Sequence, residues 1–154
     1  MNVDKITLAQ TLPLRQKYLR PFQSVEQCQL PEDEHADACH FGAFQNGVLV
    51  GVCSIYPDAF PNAYASKSPS KKSWRLRMMA TEEKVRHQGF GKALVLAVER
   101  YLSEQAGETL WCHARASALS FYEVLGFKID GDVFEIENIG PHLLMHKSLA
   151  KIKK

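Results

Sequence analysis

"ATEEKVRHQGFGKALVLAVERYL", residues 80–102, sets two glycines, Gly89 and Gly91, between a basic residue, Arg86, and an amphipathic run. Leu94, Ala97 or Val98, and Tyr101 recur at helical spacing, so the run after the glycines reads as a helix. A helix N-terminus carries four amides without intrahelical partners and the positive end of the dipole. Glycines ahead of it let an anion approach the backbone closely. The turn from Arg86 to Lys92 is therefore a candidate phosphate cradle, with Arg86 and Lys92 able to add charge-assisted bonds. Two familiar phosphate loops do not fit. A dinucleotide fingerprint needs a third glycine where Leu94 stands. A P-loop needs glycine at Arg86 and Ser or Thr at Ala93. The pattern that fits is R-x-x-G-x-G over Arg86, His87, Gln88, Gly89, Phe90 and Gly91. The alternative is a glycine-tolerant turn with no ligand.

Upstream, "WRLRMMAT" alternates as a strand: Trp74, Leu76, Met78 and Ala80 on one face, Arg75, Arg77, Met79 and Thr81 on the other. "HFGAFQNGVLVGVCSIYP" reads as a hairpin turning at Asn46-Gly47, since both turn positions favour φ > 0. "KITLA" is a short strand, and "TLPLRQKYLRPF" a helix with Leu12, Arg15 or Gln16, and Leu19 on one stripe, stopped by Pro21. Residues 28–39 read as an acidic loop, and residues 58–72 as a mobile one. Downstream come a strand, "TLWCHAR", a short helix, "SALSFYEVL", with Gly126 at its left-handed end, and the strands of "FKIDGDVFEIENIGPHLLMHKSL". A central strand–helix–strand unit predicts an α/β fold, a mixed sheet with a local parallel pair.

The 154 residues predict a single domain, 1–154. Hydrophobic content of 45% and charged content of 23% are those of a soluble globular protein. A net charge of +2 gives no reason to expect nucleic acid or a membrane surface as partner, and the basic end "KSLAKIKK" reads as a solvated tail. Cys28, Cys39, Cys53 and Cys112 form no C-x-x-C pair, and Cys53 and Cys112 sit in apolar runs as buried thiols. With no leader pattern and no apolar run of membrane length, the expectation is a cytoplasmic protein. The acidic residues Glu32, Asp33, Glu34 and Asp37 lack the calcium-loop pattern. They read as a solvated loop, with attraction of a cationic substrate as the other option; no metal is expected.

"RMMATEEKVRHQGFGKAL" resembles the coenzyme A loop of the GNAT acyltransferase superfamily, in which [Q/R]-x-x-G-x-[G/A] follows a central strand and opens a helix. "ALSFYEVLGF" resembles the family's second signature, A-x-x-x-Y-x-x-x-G-F, at Ala118, Tyr122, Gly126 and Phe127. The likeness covers roughly residues 40–148, and "GPHLLMHK" is similar to the end of the ElaA-like acetyltransferases. One departure is Arg115, where many members carry Asn.

The resemblance implies the acyl-CoA N-acyltransferase fold with a splayed central strand. It implies acetyl transfer from acetyl-CoA to a small-molecule or peptide amine, with homodimerisation common among relatives. Backbone groups near Met79 and Thr81 would meet the pantetheine arm, and amides from His87 to Lys92 the pyrophosphate. Tyr122 would protonate the departing thiolate: a phenol of pKa about 10 faces a thiol of about 8.5, a modest uphill gap. Its alternative is packing beside Phe121. Arg75 and Arg77 share the face that would meet the acceptor, where guanidinium groups favour a carboxylate-bearing amine. His113, His142 and Glu137 are candidates for the acceptor side and for the base, with a water chain as the other option. A non-catalytic acyl-CoA-binding module is the rival reading.

Overall fold

The computed structural model describes residues 2–61 and 72–149. Most of the loop at 58–72, and the end of the basic tail, lie outside them. The described residues form a seven-stranded mixed sheet with three α-helices, in the strand order β1-β2-β3-β4-β5-β7-β6. The strands are β1 (Asn2–Ile6), β2 (Cys39–Gln45), β3 (Val48–Pro57), β4 (Ser73–Thr81), β5 (Thr109–Arg115), β6 (Lys128–Ile136) and β7 (Gly140–Ser148). The helices are α1 (Leu8–Tyr18), α2 (Phe90–Glu104) and α3 (Leu119–Val124). Contacts gather the chain into two compact units: residues 1–56 with 76–101, and residues 57–75 with 102–154.

In the first unit, β1, β2 and β3 form an antiparallel meander. Its hairpin turns at Asn46 (φ 51°) and Gly47 (φ 79°), the left-handed pair the sequence calls for. Strand β1 begins and ends earlier than "KITLA" suggests because Thr7 caps α1. Its hydroxyl accepts from the Gln10 amide (3.3 Å), and the Gln10 side chain accepts from the Thr7 amide (2.8 Å). This reciprocal capping box fixes the helix start.

The buried face of α1 is Thr11, Leu14 and Arg15; of the predicted stripe of Leu12, Arg15 or Gln16, and Leu19, Arg15 is buried and the others are half-buried. The reason lies in the acidic loop. Short 3-10 turns at Glu26–Cys28 and Pro31–Glu34 organise it. Asp33 is buried, not solvated, and its carboxylate receives both arms of the Arg15 fork at 2.7 and 3.0 Å. Arg15 also donates to the Cys28 carbonyl (3.1 Å) and the Ser54 hydroxyl (2.8 Å), and His40 Nδ1 lies 2.6 Å from that hydroxyl. The four hydrogen bonds made by its two terminal nitrogens, two of them to a carboxylate, are what let a wholly buried guanidinium persist although its Nε has no hydrogen-bond partner among the described residues. Beside this network, Leu14, Val52 and Ala80 pack with Ile6, Tyr18, Leu19 and Leu49.

In the second unit, β5 and β7 pair antiparallel from Thr109↔Ser148 to Arg115↔His142, and β6 pairs with the other edge of β7. The parallel ladder joins Ser73↔Thr109, Trp74↔Leu110 and Arg75↔Trp111, at the start of β4 and β5.

Candidate active site

Strand β4 alternates as predicted, with Trp74, Leu76, Met78 and Ala80 buried and Arg75, Arg77, Met79 and Thr81 half-buried. Met78 nevertheless has φ 56°. Left-handed backbone at a bulky residue is an outlier costing on the order of 1–3 kcal/mol, and such strain concentrates at functional sites. Nothing in the hydrophobic pattern discloses it, because the alternation passes through Met78 unbroken.

The predicted cradle follows β4. A 3-10 turn at Glu83–Val85 leads into an exposed stretch from Arg86 to Gly89, and α2 begins at Phe90. His87 (φ 67°) and Gly89 (φ 91°) are both left-handed. The Ala93 amide is the first of α2 to reach a preceding carbonyl, that of Gly89 (3.0 Å). Among the described residues, the amides of Phe90, Gly91 and Lys92 have no such backbone partner. The buried Phe90, Leu94, Val95, Val98 and Leu102 anchor α2, so the cradle stands on a fixed helix. Gln88 is tied back through its side-chain amide to the Lys84 carbonyl (3.2 Å). Arg86 extends over the Tyr18 ring, 4.9 Å from its centroid.

In the second unit Tyr122 is buried at 6% exposure, its ring edge-on to Phe121 (4.9 Å) and Phe127 (5.3 Å). The signature around it has a mechanical basis. Gly126 is left-handed (φ 94°), the Phe127 amide donates to the Tyr122 carbonyl (3.1 Å), and the Gly126 amide to that of Glu123 (3.0 Å). This is a Schellman end: glycine supplies the turn and Phe127 the closing apolar contact. Tyr122 is thus held at both backbone and ring.

Arg75 lies 3.1 Å from His113 Nδ1, 3.9 Å from Asp58 Oδ2 and 4.9 Å from the Trp111 ring centroid. A guanidinium only donates, so His113 Nδ1 accepts and its proton sits on Nε2. His113 has committed the lone pair a base would need. His142 is the converse: Nδ1 donates to the Gly140 carbonyl (2.8 Å), which leaves Nε2 as the acceptor. Phe134 contacts both rings, at 5.0 Å from His113 and 6.0 Å from His142. Glu137 is exposed on the β6–β7 turn.

In the first unit Arg77 approaches Tyr56 Oη (3.5 Å) and Glu32 Oε2 (3.7 Å). The sequence alone places Glu32 in a solvated loop, but Oε2 is shielded from solvent and lacks a hydrogen-bond partner among the described residues. Each of the two strand arginines therefore has a carboxylate of this chain nearby. Burial pushes all four thiols up, Cys112 to about 12, so none offers a thiolate nucleophile near neutral pH.

A sequence profile of the acetyltransferase (GNAT) family matches residues 8–127. The chain belongs to the GNAT acetyltransferase family. The match begins well before residue 40, so the family likeness takes in α1 and the Arg15–Asp33 loop. The chain is 36% identical over 149 residues to YitI of Bacillus subtilis (strain 168), described as an uncharacterized N-acetyltransferase, with 97% of each chain covered. The GNAT fold is shared with an aminoglycoside 6'-N-acetyltransferase complexed with coenzyme A (18% identity, TM-score 0.73, all of both chains). It is shared too with Escherichia coli ElaA (18%, TM-score 0.67, 95% and 98% of the two chains). GNAT membership supports acyl-CoA-dependent N-acetyl transfer, and with it acyl-CoA binding. No helix among the described residues is long and apolar enough to cross a membrane.

Proposed function

We propose that this GNAT protein moves an acetyl group from acetyl-CoA directly to an amine. The observation that carries the reading is the exposed turn from Arg86 to Gly89, where left-handed His87 and Gly89 lead into the first amides of α2, at Phe90 to Lys92, which have no backbone partner among the described residues. Such a turn suits a pyrophosphate. Acetyl-CoA supplies an acetyl group already activated as a thioester. The amides at 87–92, with Arg86 and Lys92, hold the diphosphate, and backbone groups near Met79 and Thr81 receive the pantetheine arm. Met78's strained backbone supports a special role for this part of β4.

Direct transfer fits the thiols, whose raised pKa values disfavour an acetyl-cysteine stage. Tyr122 Oη delivers a proton to the departing sulfur. His142 Nε2 takes one from the acceptor amine, because its other nitrogen is already committed as a donor. Arg75, paired with His113, positions rather than deprotonates. The acceptor is read as an amine that also bears a carboxylate. Arg77 attracts the carboxylate, and Glu32 Oε2, lacking a hydrogen-bond partner, suits an ammonium. An acceptor screen with free-thiol detection tests the reading. Thiol release with an amine upholds it; tight coenzyme A binding without release, for every amine class, leaves a binding module instead.

A further inference from the structure

Tyr18 closes α1, and its contacts lie 64 residues downstream, on the turn that leaves β4. Its hydroxyl donates to Glu82 Oε2 (2.6 Å) and accepts from the Glu83 amide (3.0 Å). Lys17 Nζ reaches the same Glu82 oxygen (3.1 Å) and lies 5.1 Å from the Tyr18 ring centroid. The Glu82 amide donates to the Val50 carbonyl (2.7 Å). The turn is therefore pinned by α1, by β3 and by a surface cation. The ring of Tyr18 also carries the Arg86 guanidinium at 4.9 Å, and Arg86 Nη2 lies 3.5 Å from the Thr81 carbonyl.

We propose that Tyr18 is a positioning residue for coenzyme A, its ring presenting the Arg86 guanidinium and its hydroxyl fixing the Glu82–Glu83 turn before the ligand arrives. Two physical effects follow. An exposed arginine loses rotamer freedom when it grips a phosphate, and a ring platform removes part of that loss in advance. Glu82 and Glu83 stand close before an anion cradle, where a loose carboxylate would repel a diphosphate. Tyr18 and Lys17 hold the Glu82 carboxylate, and the Tyr18 hydrogen bond is the largest influence keeping that carboxyl below its ordinary range.

The inference rests on the reading of residues 86–92 as the diphosphate site, and the test separates the two. Coenzyme A is titrated calorimetrically into the wild-type protein, Tyr18→Phe, Tyr18→Leu, Arg86→Ala and the Tyr18→Leu/Arg86→Ala double variant, with thermal melts alongside. Tyr18→Phe keeps the ring and is expected to weaken binding about 2- to 5-fold. Tyr18→Leu is expected to weaken it about 5- to 20-fold. In the Arg86→Ala background the Leu substitution should cost only the about 2- to 5-fold that belongs to the hydroxyl, since the ring's share acts through Arg86. KM for acetyl-CoA should rise in step while kcat and the acceptor KM stay put, a split that general loosening of the fold would not give. If Tyr18→Leu fails to fold, Tyr18→Phe carries the test. Wild-type affinity in a folded Tyr18 variant, or an equal loss with and without Arg86, overturns the proposal and leaves the cradle standing. A wild-type protein that does not bind coenzyme A removes both.

Discussion

Tyr122 and His142 divide the proton traffic of the proposed reaction, and each can be tested by losing one atom's chemistry. Tyr122→Phe keeps the ring between Phe121 and Phe127 but removes the proton source. The expected result is a fall in kcat of about 10²- to 10⁴-fold with acetyl-CoA KM nearly unchanged, read by steady-state kinetics. Near-native turnover would make Tyr122 a packing residue. The two histidines should separate. His142→Gln is expected to lower kcat/KM about 10²-fold or more, because Nε2 is the acceptor. His113→Gln is expected to cost less than about 10-fold, because Nδ1 is already bound by Arg75. Equal losses at the two positions would remove the tautomer argument.

At the scale of the element, the Arg15–Asp33 pair is what joins α1 to the loop carrying Glu32. Asp33→Asn leaves a buried guanidinium without its charge partner and should destabilise the fold by about 3–5 kcal/mol, measured by urea unfolding. The same network sets an acid limb. Burial pushes His40 below its ordinary 6.5, and the Arg15 charge reinforces this against the opposing Asp33 carboxylate. As pH falls through 6.5 the unfolded chain takes up a proton that folded His40 does not, so stability declines. Burial pushes Asp33 up, but the Arg15 hydrogen bond, the Leu30 amide and the Arg15 charge together hold it below 3.8. Its contribution is complete above 3.8 and is lost as pH falls through the folded value. Urea midpoints between pH 8 and 3 should therefore drop in two stages, and Asp33→Asn should abolish the lower one.

These elements also show what could be read from the chain. Local chemistry was legible: Asn46-Gly47, the alternation of β4, the glycine turn and the Gly126 helix end each depend on residues adjacent in sequence. The buried face of α1 was legible only in part: Arg15 stood on the expected stripe as an alternative to Gln16, but Asp33 and Ser54, which let it be buried, lie 18 and 39 residues away. The strain at Met78 was not legible, since it leaves no mark on hydrophobic period. Among the proposed site residues, the glycine turn and Tyr122 were visible as motifs. The standing of His113 against His142 was not, since it depends on which partner each Nδ1 meets.

For the whole molecule, family membership supports N-acetyl transfer and leaves the acceptor to be found by experiment. Matched pairs, an amino acid or peptide terminus against its decarboxylated amine, test the zwitterion reading through kcat/KM. A bidentate arginine contact predicts about a 10-fold or greater advantage for the carboxylate-bearing partner, narrowed mainly through KM by Arg77→Ala. Equal or faster reaction of the bare amines would turn attention to Glu32 as the reader of a cationic acceptor. The central claim is simpler: the glycine turn that opens α2 holds the diphosphate of coenzyme A. The direct measurement is calorimetric titration of coenzyme A into the wild-type protein and into Gly89→Asp, with melts to establish that the variant folds. The account predicts saturable one-to-one binding that disappears in the variant, where a carboxylate would face the diphosphate at short range. Unchanged affinity in a folded Gly89→Asp protein would contradict it.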